Sequence, residues 1–206
     1  MYHTPNHIGI IPDGNRRWAT RNGLNKEDGY EQGLVAGLEL LRAAKSRGID
    51  ELTYYGFTVD NCKRPKAQVE AFSDACCKAV ELIVREGADV LVVGNTDSAC
   101  FPKCLVPFTE RNNAAGNGGG SGKIRVNLLV NYGWEWDMKN AWASRAVPRI
   151  DMVVRWGGMR RLSGFLPLQT VYSDFYIVDE LWPDFKEEQL DAALEWYSKQ
   201  DVTLGG

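Results

Sequence analysis

Short apolar runs alternate with amphipathic stretches along this chain, and no other feature restricts its fold so strongly. The apolar runs lie at residues 8–11, 52–57, 90–93, 126–130, 152–154 and 175–178. Helical patterns fill the intervals, notably at residues 30–47 and 67–86, and Gly48 is placed to end the first helix. Short strands that alternate with helices are typical of βαβ units around a parallel sheet. We therefore expect a single α/β domain over residues 1–206, with a mostly parallel central sheet flanked by helices.

The composition is that of an ordinary soluble globular protein. Hydrophobic residues make up 44% of the chain and charged residues 25%, and the formal net charge is -3, which gives no basic field for nucleic acid. Residues 1–7 lack a signal-peptide pattern, and no apolar run approaches the roughly 18 residues of a membrane span. The Asn-Gly-Ser-rich stretch at residues 112–122 is typical of a flexible loop within the domain. We expect a cytoplasmic protein without a membrane anchor or a nucleic-acid partner.

The cysteines give no strong pattern. There are five of them, at Cys62, Cys76, Cys77, Cys100 and Cys104. The adjacent pair Cys76–Cys77 lies in a helical pattern, which favours small buried side chains over a disulfide framework. Cys100 and Cys104 lack a matching second pair, so a zinc site is only a minor alternative.

Three polar segments each follow an apolar run. The first contains Asp13, Gly14, Asn15, Arg16, Arg17 and Trp18, the second covers residues 57–65, and the third covers residues 155–164. Taken alone, each could be a helix cap or a solvated basic turn. In a parallel sheet, however, segments that follow strands can converge on one edge, and arginines and glycines suit phosphate oxygens. We predict a pocket with two phosphate-sized anion sites, with Mg²⁺ bridging Asp13 to phosphate.

Other common site chemistries find no support. The chain has neither a phosphate loop ending in Gly-Lys-Ser/Thr nor a Gly-x-Gly-x-x-Gly turn, which disfavours nucleotide binding. His3 and His7 are the only histidines, and both are close to the start of the sequence. A Ser/His/Asp triad is therefore not credible.

Four blocks of sequence together resemble the cis-prenyltransferases, the undecaprenyl-diphosphate-synthase-like family. The blocks are residues 7–19 (HIGIIPDGNRRWA), residues 52–65 with LTYYGF and KRP, residues 131–133 (NYG), and residues 151–185, which end in LWPDF. They run through nearly the whole chain in the order found in the family.

The resemblance implies a fold of the undecaprenyl-diphosphate-synthase type, with a hydrophobic tunnel between helix 67–86 and the strands. It also implies an Mg²⁺-dependent condensation of an allylic diphosphate, dimethylallyl or longer, with a second five-carbon diphosphate. The second substrate would be isopentenyl diphosphate joined head-to-tail, dimethylallyl diphosphate joined head-to-middle, or both. The family habit further implies a homodimer, with a heteromer as the alternative.

The same resemblance implies roles for individual residues. Asp13 and Asn61 would be catalytic, a polar group near Asn61 or a phosphate oxygen would accept the released proton, and Asp13 and Asp174 would hold the metal. The second diphosphate would lie on Arg155, Arg161 and Ser163. The allylic diphosphate would lie on residues of the first half of the chain, namely Gly14, Asn15, Arg16, Arg17, Trp18, Lys26, Tyr30, Thr58 and Arg64.

The chain departs from the family pattern mainly near the expected substrate sites. Arg16 replaces a Gly, Asp174 replaces a Glu, and Thr203 to Gly205 lack the Arg of an Arg-x-Gly element. A longer helical insertion usual between Gly133 and Asp151 is also absent. The other departures are Lys26, Tyr30, Asp60, Cys62, Met159 and Gly164. This distribution suggests an altered second substrate or regiochemistry, similar to that of short members that form branched, lavandulyl-type diphosphates.

A non-catalytic scaffold subunit of a heteromeric prenyltransferase is the alternative function. Such subunits generally lose the Asp and arginines of the first motif and keep the C-terminal Arg-x-Gly element. This chain has the opposite pattern, since it keeps Asp13, Arg17, Arg155 and Arg161. The sequence therefore favours an enzyme.

Overall fold

The apolar runs become the strands of one parallel sheet. The computed structural model describes residues 4–111 and 123–201. Within these residues the strands form a six-stranded sheet of order β3-β4-β2-β1-β5-β6, and every neighbouring pair is parallel. The strands are β1 His7–Ile11, β2 Glu51–Thr58, β3 Asp89–Val93, β4 Arg125–Tyr132, β5 Met152–Arg155 and β6 Asp174–Ile177. The predicted α/β fold with a parallel central sheet is confirmed.

Helices occupy the intervals between the strands. They are α1 Asn15–Arg21, α2 Asp28–Ser46, α3 Lys66–Arg85, α4 Trp134–Lys139 and α5 Glu187–Tyr197. The two helices expected from periodicity correspond to α2 and α3. As predicted, Gly48 follows the end of α2, where its φ of 74° places it in the left-handed region and its N–H donates to the Lys45 carbonyl.

Both faces of the sheet are buried, which explains why the strands are almost continuously apolar. On one face Leu40 of α2, Val80 of α3 and Leu190 of α5 pack in a single core. The opposite face is covered by non-helical segments that carry Ile150 and Phe165. The helices therefore lie mainly on one side, and the carboxyl ends of the strands are left open to loops.

The amino edge of the sheet holds a dense polar network. The Glu51 carboxylate is only 1% exposed, and it accepts hydrogen bonds from Arg111 at 2.9 Å, Arg125 at 2.8 Å and Asn127 at 2.7 Å. His7 Nε2 lies 2.7 Å from the Thr53 hydroxyl, and burial lowers the pKa of this imidazole. The buried charge is paired and hydrogen-bonded, as its burial requires. We therefore interpret the network at this edge as contributing to the stability of the fold.

The expectation for the cysteines is wrong in one respect. Cys77 of α3 forms a disulfide with Cys104 in the 3₁₀ turn Lys103–Phe108, with the two Cα atoms 6.3 Å apart. This contact joins elements that are distant in sequence, so helical periodicity could not reveal it. Because Cys104 is in the disulfide, the minor zinc alternative loses one of its two ligands. Cys76 is buried, as predicted.

Some expectations concern parts of the chain outside the described residues. These are the loop at residues 112–122, His3 and the departure at Thr203 to Gly205. None of the helices in the described ranges has the length and hydrophobicity needed to cross a membrane.

Candidate active site

The three polar segments of the sequence meet at the carboxyl edge of the sheet. They follow β1, β2 and β5, which are neighbours in the sheet. The closest link joins Asp13 Oδ2 to Arg155 Nη2 at 2.8 Å. This edge is where an open parallel sheet places ligands.

Arg155 is the buried centre of this edge, with its side chain only 5% exposed. Besides Asp13, its guanidinium donates to the Ser163 hydroxyl at 3.0 Å and to the Arg161 carbonyl. Its Nε is buried without a partner. The arginine thus fixes the Ser163 segment against Asp13 and brings a positive charge to the floor of the site.

Arg17 approaches the same carboxylate from α1. Its Nη2 lies 3.4 Å from Asp13 Oδ1 and donates to the Gly157 carbonyl at 3.0 Å. A Cβ at Gly157 would lie 2.5 Å from that nitrogen and 2.9 Å from the Asp13 carbonyl oxygen. Only a glycine allows the first and third segments to approach so closely.

The first polar cavity, of about 580 Å³, has a strongly cationic wall. Within the described residues that line it, Asp13 is the only carboxylate, whereas the cations are Arg16, Arg17, Arg21, Lys26 and Arg64. Gly14, Asn15, Tyr30 and Asn61 also line it. The Tyr30 hydroxyl accepts a hydrogen bond from Arg64 at 3.1 Å. Such a surplus of forked cations suits a diphosphate.

The second polar cavity, of about 830 Å³, is also lined by Asp13. Arg155, Ser163, Thr58 and Asn61 line it together with four aromatic residues, Tyr55, Tyr132, Trp134 and Trp136. Asp13, Asn61 and Arg64 line both cavities. Two anionic ligands bound here would therefore meet at Asp13.

Two neutral side chains support this second cavity. Burial, with a smaller effect of the Asp60 charge, raises the pKa of Tyr55 to about 12, so its hydroxyl stays protonated and donates to the Ser163 carbonyl at 2.9 Å. Burial and a hydrogen bond with Cys100 raise the pKa of Cys62 to about 12. The Cys62 thiol is therefore neutral, and it donates to Asn131 Oδ1 at 3.1 Å.

An apolar cavity of about 110 Å³ adjoins the first polar cavity. It runs between α2 and α3, and its lining includes Leu34, Phe72 and Ile83. Pro12 and Gly56 line all three cavities. A Cβ on Gly56 would lie 2.8 Å from the Leu129 carbonyl oxygen, so this junction also depends on a glycine.

Three predicted site residues do not line either polar cavity. Trp18 donates its indole N–H to Asp184 at 2.7 Å and lines neither polar cavity, and Arg161 contributes its carbonyl while its side chain is exposed. Asp174 begins β6 opposite Met152, whereas Asp13 follows the far end of β1. The backbone positions of the two residues thus lie toward opposite ends of β5, whose four residues span roughly 10 Å. Motif order does not reveal at which sheet edge a residue lies, and the sharing of a metal by Asp13 and Asp174 stays a prediction.

The surroundings of Asp13 fit a magnesium ion that arrives with its substrate. Among the described residues there is no group of three or more His, Cys, Asp or Glu side chains that could cage a metal. Mg²⁺ usually keeps several waters and is bound through one or two carboxylates and substrate phosphates. Asp13, one-third exposed and beside Arg17 and Arg155, meets that requirement.

Several residues of the site were missed by the sequence reasoning. Arg21 continues the cationic wall one helical turn after Arg17, so helical spacing could have found it. Trp134 and Trp136 directly follow the Asn-Tyr-Gly motif. Their position after a strand was the available signal for them, as it was for the three polar segments.

Comparison with known proteins places this arrangement in a family. The family model described as "Putative undecaprenyl diphosphate synthase" matches residues 11–147 and 142–205. A tritrans,polycis-undecaprenyl-diphosphate synthase (geranylgeranyl-diphosphate specific) of Aeropyrum pernix is 32% identical, with 98% of each chain covered. An isoprenyl transferase of Nitrosomonas europaea is 30% identical over 98% of this chain and 85% of its own.

The fold also matches a solved structure. Lavandulyl diphosphate synthase from Lavandula x intermedia, in complex with dimethylallyl diphosphate, superposes with a TM-score of 0.81. The alignment covers 98% of this chain and 99% of that one at 22% identity, which supports the fold alone. The family model and the sequence relatives show that this chain belongs to the undecaprenyl diphosphate synthase family and is a prenyltransferase.

Proposed function

We propose that this prenyltransferase condenses an allylic diphosphate with a second five-carbon diphosphate and releases diphosphate. The observation that carries the proposal is the pair of polar cavities that share Asp13, one rich in arginine and lysine and the other containing Arg155 and Ser163. The first cavity also adjoins an apolar one that suits a hydrocarbon tail.

The allylic diphosphate occupies the first cavity, where Arg16, Arg17 and Arg64 bind its phosphates. As the allylic C–O bond breaks, negative charge builds on the departing diphosphate, and these preorganised cations stabilise it. Asp13, together with phosphate oxygens, would hold Mg²⁺, which would neutralise part of that charge.

The second diphosphate lies on Arg155 and Ser163 in the other cavity. Because Asp13, Asn61 and Arg64 line both cavities, the alkene of this substrate can approach the allylic carbon, so that the new C–C bond can form as the leaving group departs. A phosphate oxygen or a polar group near Asn61 then accepts the released proton. Asn61 lines both cavities, and its side-chain oxygen accepts a hydrogen bond from the Thr58 N–H at 3.1 Å, which fixes its orientation.

The volume of the apolar cavity favours short substrates. A cavity of about 150 Å³ holds a benzene molecule. At about 110 Å³, the space between α2 and α3 suits a tail of a single five-carbon unit. We therefore propose dimethylallyl diphosphate as the allylic substrate, with isopentenyl or dimethylallyl diphosphate as the second.

A cytoplasmic homodimer is the proposed working form, with a heteromer as the alternative. Val171 and Tyr172, next to the edge strand β6, are 62% and 60% exposed. Apolar side chains of this size beside an open sheet edge suit a subunit contact.

The reaction can be tested by incubating the protein and Mg²⁺ with dimethylallyl diphosphate, with and without isopentenyl diphosphate, and identifying dephosphorylated products by mass spectrometry. A branched product from dimethylallyl diphosphate alone would establish head-to-middle coupling. Product only with isopentenyl diphosphate would establish head-to-tail elongation. Absence of product in every mixture, longer allylic primers included, would contradict the proposal and favour the scaffold alternative.

Replacing Asp13 tests the proposed metal and leaving-group chemistry. Asp13→Ala is expected to lower turnover by about 10²-fold or more, because one carboxylate serves both cavities. Asp97→Ala removes an exposed carboxylate that lines neither polar cavity, and it is the matched control. If Asp13→Ala had the turnover of the parent protein and an unchanged circular dichroism spectrum, the role assigned to Asp13 would be contradicted.

A further inference from the structure

Trp134 is a large aromatic side chain exposed in the second polar cavity. It is 48% exposed and belongs to the lining that includes Arg155 and Ser163. The other aromatic residues of that lining are committed to packing. Tyr55 and Tyr132 are buried, and Trp136 packs edge-on against Tyr132 with ring centroids 6.4 Å apart. Trp134 is therefore the aromatic surface with the largest free area for a ligand.

A rigid support holds Trp134 in place. It is the first residue of α4, and α4 is anchored by the buried carboxylate of Asp137. That carboxylate accepts hydrogen bonds from the Tyr132 hydroxyl at 2.7 Å, the Ser144 hydroxyl at 2.6 Å and the Ser144 N–H at 2.8 Å. A side chain on such a support presents the same surface to every ligand.

Gly164 fixes how Trp134 meets the diphosphate-binding segment. A Cβ built on Gly164 would lie 2.7 Å from Trp134 Cδ1 and 3.4 Å from its Cγ. Both are ring atoms near the root of the side chain, so the whole indole would have to move. The absence of a side chain at Gly164 lets the indole pack against this residue, which directly follows Ser163, whose hydroxyl accepts from Arg155.

We propose that Trp134 binds the hydrocarbon of the second five-carbon diphosphate and determines the specificity of that site, with Gly164 as the residue that makes room for it. This inference rests on the proposed condensation. A diphosphate on Arg155 and Ser163 carries its five-carbon group only a few bonds from its phosphates. The indole, which lines the same cavity as Ser163, is then an apolar surface within reach.

The aromatic surface also suits the charge that develops during the reaction. The electrons of the second substrate's double bond form the new C–C bond, while the allylic C–O bond breaks and its electron pair leaves with the diphosphate. The former alkene is left with a positive carbon until it transfers a proton to an oxygen of the released diphosphate. A neighbouring indole attracts that cation.

Steady-state kinetics with the allylic substrate saturating and the second substrate varied test the inference. Trp134→Ala is expected to raise the KM for the second five-carbon diphosphate about tenfold, the equivalent of one lost aromatic contact, and leave the KM for the allylic substrate unchanged. Trp134→Phe is expected to restore most of the loss. Trp142→Ala, which removes an exposed Trp that does not line the cavity, is the control and keeps parent kinetics.

Substitution of Gly164 provides a second test of the inference. Gly164→Ala is expected to raise the KM for the second five-carbon diphosphate. In the double variant with Trp134→Ala, this KM is expected to rise by less than the product of the two single-variant increases, since the clash at position 164 requires the indole. The inference would be overturned, in a parent enzyme that makes product, if Trp134→Ala changed both KM values equally or changed neither. It would also be overturned if Trp134→Phe did not restore the KM for the second five-carbon diphosphate. A parent protein that makes no product would overturn the proposed function itself, and this inference with it.

Discussion

Gly157 illustrates how a single missing side chain assembles the site. Its carbonyl holds Arg17 and its Cα faces the backbone of Asp13, so the first and third segments touch across it. Its φ of 87° is also in the left-handed region, which favours glycine.

We therefore expect Gly157→Ala to be much more harmful than an ordinary glycine replacement. Backbone strain alone is expected to cost about 1–3 kcal/mol in the free energy of unfolding, and displacement of Arg17 to lower kcat/KM about 10- to 100-fold. Gly23→Ala is the matched control, because Gly23 has a φ of 68° but no atom lies within 4 Å of the place that a Cβ would take there. Denaturant unfolding and kinetics of the two variants give the comparison, and equal kcat/KM in both would contradict the role of the contact.

For individual residues, the sequence identified candidate side chains of the site but did not always reveal where they lie in the fold. Asp13, Arg17 and Arg155 follow strands directly, so the sheet topology was enough to bring them together. Asp174 was assigned to the metal although it begins a strand, and the register of β6 places it near the opposite edge. Arg161 makes its described contact with Arg155 through its carbonyl, and a role of its exposed side chain in binding diphosphate stays a prediction.

Helix α3 extends from the polar site into the core. Phe72 near its start lines both the first polar cavity and the apolar cavity, whereas Ile83 near its end lines only the apolar one. At 1.5 Å per residue the two positions are about 16 Å apart. Ile83 therefore lies at the deep end of the apolar cavity.

Shortening Ile83 is expected to deepen the cavity and lengthen the product. Ile83→Ala should allow the main product to grow by about one five-carbon unit, at a cost of about 2–5 kcal/mol in the free energy of unfolding. Val84→Ala is the control, since Val84 is 44% exposed and outside the cavity lining. Mass spectrometry of dephosphorylated products checks this, and an unchanged product distribution in Ile83→Ala would show that the cavity does not limit chain length.

Elements were easier to predict than the contacts between them. The apolar runs and helical periods gave every strand of the sheet and helices α2 and α3. The disulfide between Cys77 and Cys104 was not predicted, because it depends on how the end of one loop packs on one side of α3. The local sequence pattern carries no information about the distance between the Cα atoms of Cys77 and Cys104.

Across the whole molecule, function and stability occupy opposite edges of the sheet. The carboxyl edge contains the cavities, and the amino edge contains the network around Glu51 and His7. Desolvation by burial is the main cause that lowers the pKa of His7, while the charges of Glu51 and Asp151 act to raise it and that of Arg125 to lower it.

A lowered folded-state pKa makes stability depend on pH in one direction. The contribution of His7 is complete above its ordinary value of 6.5 and is lost as the pH falls below it, because the unfolded chain then binds a proton that the folded chain excludes. The slope from this single proton cannot exceed about 1.4 kcal/mol per pH unit. Urea unfolding between pH 5 and 8 should show a weaker acid dependence in His7→Gln than in the parent, and identical slopes would contradict this account.

The meeting of three cavities at Pro12 and Gly56 has a consequence for how such an enzyme can diversify. In the proposed condensation, the departing diphosphate, the second substrate and the hydrocarbon tail would each occupy a cavity of their own, and the three cavities meet at these two residues. A substitution at a residue that lines one cavity alone, such as Ile83, is expected to affect that cavity most. Bond-making chemistry, partner choice and product size can therefore be inherited, and engineered, as separate traits.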